Sequence, residues 1–111
     1  MLFRCDGPIP SSVEEIDFEA MRVFESYEEV KAILSEHLLV VSWNDQQQLG
    51  TVENEIGRFE FQCYQSLISA GTVGLKTSFR QSVEESQGYI SDICKKAGLF
   101  GVDEQSLQII R

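Results

Sequence analysis

Two serines, Ser26 and Ser82, each stand three residues ahead of a glutamate at the head of an amphipathic stretch, and these capping boxes fix where two helices begin. In such a box the serine side chain satisfies a backbone amide one turn on, while the glutamate reaches back toward the cap. After Ser26 and Glu29, the residues Tyr27, Val30, Ile33, Leu34 and His37 recur at three- and four-residue spacing, which predicts a helix over 27–36. After Ser82 and Glu85, Val83, Ser86, Ile90, Ile93, Cys94 and Ala97 line one face up to Gly98. Lys95 and Lys96 fall in the last turn, where cations suit the helix dipole.

Between and around these helices the pattern changes. Residues 38–43 (Leu, Leu, Val, Val, Ser, Trp) form a short apolar run closed by Asn44-Asp45 and read as a buried central strand. Residues 16–24 show no clean helical stripe and read as a strand, preceded by a short helical turn after Ser11 or Ser12. The polar stretch 46–50 reads as a loop. Val52, Ile56, Phe59, Cys63, Leu67 and Ala70 then fall near helical spacing before Gly71, which predicts a helix capped by Thr51. Against that helix stand the strand-like alternation of Phe59, Phe61 and Cys63, and Gly57 inside it. Residues 72–79 alternate Val73, Leu75, Thr77 and Phe79 as a half-buried strand, and 106–110 read as a last strand. Gly7 to Ser12, with two prolines, sets residues 1–10 apart as a short leading strand or arm. The expected fold is α/β or α+β, a single small domain of about three helices packed on a sheet of about four strands.

At 111 residues the chain is long enough for one core without disulfides or a metal. Cys5, Cys63 and Cys94 are odd in number and form no C-x-x-C pair. They fit reduced thiols, with Cys63 and Cys94 as core residues among apolar neighbours. No run approaches the roughly 20 apolar residues of a membrane span, and residues 1–10 lack the apolar stretch of a signal peptide, so a cytoplasmic location is expected. Eighteen acids against nine Lys and Arg give a net charge of −9. That balance argues against nucleic acid and anionic membrane as partners, because both are gripped through cations.

Catalytic chemistry finds no foothold. The only histidine, His37, sits at a predicted helix end and suits capping rather than general-base work. One histidine, scattered cysteines and no D-x-D-x-D-G loop leave metals without ligands at workable spacing, and no cofactor is implied. The glycine pairs Gly71/Gly74 and Gly98/Gly101 lack the lysine of a phosphate loop. The carboxylate pairs Glu14/Glu15, Glu28/Glu29 and Glu84/Glu85 stand at predicted helix starts, where they stabilise the dipole. No enzyme activity is expected.

What stands out is the distribution of acid. Glu14, Glu15, Asp17, Glu19, Glu25, Glu28, Glu29 and Glu36 face only Arg22 and Lys31 within residues 14–36, a local net charge of −6. These eight acids are the candidate partner-binding residues, with Tyr27, Trp43 and Tyr64 as possible aromatic anchors. In this acidic cluster, its size and its lack of catalytic groups, the chain resembles the small bacterial immunity proteins of contact-dependent inhibition and colicin-like systems. The resemblance implies a protein that binds and neutralises a basic toxin domain, a nuclease for example, with carboxylates where the toxin expects phosphates. On that reading, charge reversal at Glu28 and Glu29 slows association. The competing expectation is an acidic secretion chaperone or adaptor that holds a partner on an exposed apolar surface.

Overall fold

The alternation that competes with a helix over 51–70 decides the centre of the molecule. Strand β3 (Leu49–Glu53) and strand β4 (Gly57–Gln62) form an antiparallel hairpin, with Val52 opposite Phe59 and Gly50 opposite Phe61. Phe59 and Phe61 are fully buried, while Arg58 between them is exposed. This corrects the predicted helix: Val52 and Phe59 share a face because they are cross-strand neighbours, not because they lie two turns apart. Asn54 closes the hairpin, its side-chain oxygen accepting from the amides of Ile56 (2.9 Å) and Gly57 (3.2 Å). Only residues Gln65–Ser69 form a helix, α2, and Gly71 at φ +81° reverses the chain after it.

The computed structural model describes residues 1–4, 9–16, 23–38, 41–79, 82–103 and 108–110. Beside the hairpin lie β2 (Ser42–Asn44) and β5 (Gly74–Phe79), giving a four-stranded antiparallel sheet in the order β2-β3-β4-β5. A second antiparallel sheet joins β1 (Leu2–Arg4), β6 (Leu99–Val102) and β7 (Ile109–Ile110) in the order β1-β6-β7. The two sheets meet at a bridge in which Leu2 and Val73 exchange both backbone bonds, at 2.7 and 3.0 Å.

Both capping boxes produce their helices. In α1 (Tyr27–His37) the Ser26 hydroxyl accepts from the Glu29 amide, and in α3 (Val83–Ala97) the Ser82 hydroxyl accepts from the Glu85 amide. Gly98, at φ +71°, ends α3 in a left-handed cap and leads directly into β6. The helices cover one face of the four-stranded sheet: Tyr89 of α3 lies 4.7 Å from Phe59, ring centre to ring centre, and Tyr27 of α1 meets Trp43 of β2 edge-on at 6.0 Å. One apolar cluster joins α1 (Val30, Leu34), α3 (Ile90, Ile93) and the strands (Phe59, Phe61, Leu99). The Cα radius of gyration, 13.2 Å, matches the roughly 13 Å of a single compact domain of this length. The fold is α+β, with three helices and sheets of four and three strands among the described residues.

Other expectations need adjustment. The run 38–43 is not a buried central strand in its described part: β2 lies at an edge of the sheet, and Ser42 and Asn44 are exposed. Leu39 and Val40 lie outside the described residues. Leu49 and Gly50, read as loop, already belong to β3, and the turn is confined to residues 45–48 with Gln48 at φ +55°. Of the strand read over 16–24, residues 17–22 lie outside the described part, and Ile16, Val23 and Phe24 are not in a strand. The helical turn before it is present as a 3-10 turn over Val13–Glu15. In the last predicted strand Ile109–Ile110 pair with β6, and residues 106–107 lie outside the described part. Strand β6 itself was not foreseen.

Candidate functional site

Helix α1 carries half of the described acidic cluster, Glu28, Glu29 and Glu36, and its capping box determines which acids are available. Glu29 is not free. Its Oε1 accepts from Arg4 Nη2 at 2.7 Å and from the Glu25 amide at 3.1 Å. Arg4 comes from β1, donates also to the Val23 carbonyl at 2.7 Å, and lays its guanidinium 4.9 Å from the centre of the Phe24 ring. With 11% of its side chain exposed, Arg4 is an internal cation, and Glu29 is its counter-ion. This pair ties the first strand to the head of α1.

A second tie consumes the other described cation of the region. Tyr27 Oη donates to Asp45 Oδ1 at 2.6 Å, and Lys31 Nζ donates to the same oxygen at 2.9 Å. These two bonds hold the Asp45 carboxyl below the usual range, the tyrosine bond being the larger cause. Burial, then the Asp45 carboxylate, pushes the Tyr27 hydroxyl above its ordinary value. Trp43 closes the cluster by donating from its indole to Ser35 Oγ at 3.1 Å. Of the three aromatic anchors, Tyr27 is buried, Trp43 half-buried, and Tyr64 exposed.

Glu14, Glu25, Glu28 and Glu36 are exposed, and none has a side-chain cation partner among the described residues. Glu15 is exposed too, and accepts from the Ser11 amide at 3.1 Å. Asp17 and Glu19 lie outside the described residues. The structure therefore separates the eight sequence candidates: Glu25, Glu28 and Glu36 project from the head and tail of α1, Glu14 and Glu15 from the 3-10 turn, and Glu29 serves the fold. Sequence reasoning missed Arg4 and Asp45, because both act across the chain on residues of α1 and leave no local pattern.

The thiols fit no nucleophilic role in the described part. Cys63 and Cys94 are fully buried, and burial raises them to about 12 and about 11. Cys5 lies outside the described residues. Among the described residues no group of three or more His, Cys, Asp or Glu is placed to hold a metal, and no helix is long and apolar enough to cross a membrane. No family model, curated protein or solved structure matches the chain.

Proposed function

We propose that this is a non-catalytic immunity or inhibitor protein of the cytoplasm, which binds a basic toxin domain through the acidic face of α1 and the preceding 3-10 turn. The observation that carries this reading is the division of labour among charges. The region's described cations, Arg4 and Lys31, are spent on Glu29 and Asp45, so Glu14, Glu25, Glu28 and Glu36 stand exposed with no ion-pair partner among the described residues. A surface of this kind raises the capture rate of a cationic partner and competes for a cleft built for phosphates. The net charge of −9 acts in the same direction at longer range.

The test is capture by the purified protein from a lysate of its source organism, with washes at low and high salt and identification by mass spectrometry. The expected result is a basic protein with nuclease character, held one to one and inactive while bound. Retention of an aggregation-prone secreted protein, or of nothing at either salt, contradicts the proposal.

A further inference from the structure

Glu28 and Glu36 owe their placement to α1 itself, but Glu25 stands ahead of it, before the Ser26 cap and outside the helical ladder. What fixes its backbone comes from β1. Arg4 Nη2 donates to two oxygens at once, the Val23 carbonyl and Glu29 Oε1, both at 2.7 Å. The same Glu29 oxygen accepts from the Glu25 amide at 3.1 Å. A capping-box glutamate ordinarily reaches back to the amide of the cap residue. Glu29 reaches one residue further, with the Arg4 cation bound to the same oxygen.

Arg4 thus grips residues 23–25 at two backbone points, directly at the Val23 carbonyl and through Glu29 at the Glu25 amide. Between these points Phe24 is buried, with the guanidinium 4.9 Å from the centre of its ring. On either side Val23 and Glu25 are exposed. The side chains of Arg4 and Glu29 are 11% and 25% exposed, so their charge-assisted bond is shielded from water and salt more than a pair on the open surface. The helix start does not depend on this latch, because the Ser26 hydroxyl caps it by accepting from the Glu29 amide at 3.1 Å.

We infer that Arg4 is a positioning residue for the partner-binding face: directly and through Glu29 it sets the backbone of residues 23–25, and with it the direction in which Glu25 leaves the head of α1. The inference rests on the proposed function, since it concerns the same face. Arg4 acts through Glu29 and the chain, not by touching the partner. Its effect is therefore confined to Glu25. Glu28 lies inside α1, is held by the helix, and keeps its place without Arg4.

Amide exchange tests the geometry without any partner. Exchange at the Glu25 amide is expected to quicken about tenfold or more in Arg4→Met, and equally in Glu29→Ala, which opens the latch from the other side. A double-mutant cycle then tests the role, with a fluorescein-labelled hepta-arginine peptide as the probe, read by anisotropy at low salt on folded variants. Glu25→Gln is expected to weaken binding about two- to fivefold in the parent but less than about 1.5-fold in either latch variant, whereas Glu28→Gln weakens it equally in all three. A role in stability alone lowers the folded fraction and leaves the Glu25 increment as it was. An unchanged exchange rate at Glu25, or an equal loss from Glu25→Gln in all three backgrounds, overturns the inference and leaves the proposed function standing. If Glu25→Gln and Glu28→Gln are both silent in the parent, the two fall together.

Discussion

At Gly50, a Cβ atom would sit 2.5 Å from the indole of Trp43, whereas at Gly88 it would meet nothing within 4 Å. The two glycines therefore predict opposite outcomes for one substitution. Gly50→Ala displaces the indole and costs roughly 1–3 kcal/mol. Gly88→Ala, in the interior of α3, gains about 0.5–1 kcal/mol by helix propensity. Urea unfolding of the two variants checks both signs. Arg4 is the other residue with a sharp consequence: Arg4→Met keeps much of the apolar stem over Phe24 but strands Glu29 and the Val23 carbonyl. A loss of roughly 1–3 kcal/mol is expected in the same assay. A neutral Arg4→Met would show the Arg4–Glu29 pair to be a surface contact of no weight.

At the scale of elements, Asp45 fastens α1 to the turn between β2 and β3. Its folded pKa lies below its unfolded value, so the tie contributes stability above about pH 4 and loses it as pH falls below that through the folded value. Asp45→Asn removes this dependence, and the unfolding midpoints of the two proteins are expected to converge on acidification. Parallel curves down to pH 2 would contradict the assignment. How legible each element was follows from where its information lies. The helices α1 and α3 were readable because their caps and stripes are local, and β5 because its alternation is undisturbed. The hairpin of β3 and β4 is hidden because Val52, Ile56, Phe59 and Cys63 happen to fall at helical spacing, and only pairing across the hairpin favours the alternation of Phe59, Phe61 and Cys63. Strand β6, four residues long and directly after a helix cap, is too short to signal itself and is held by β1 from the far end of the sequence. The candidate acids were legible as a cluster. Their availability was not, because Arg4 reaches Glu29 across 25 positions.

At the scale of the whole molecule, the charge is −9 and the described core is a single apolar cluster. On the proposed function, the exposed carboxylates of α1 and of Glu25 just ahead of it capture a basic partner, while Glu29 belongs to the fold. The most direct measurement is the stopped-flow association rate of the captured partner, as a function of salt, with the parent protein and with a Glu25→Gln, Glu28→Gln, Glu36→Gln triple variant. Stability within about 1 kcal/mol of the parent is expected, with association slowed about tenfold or more at low salt and a difference that vanishes toward 1 M, roughly, as screening shortens to about 3 Å. Equal rates at low salt for the two proteins would contradict it.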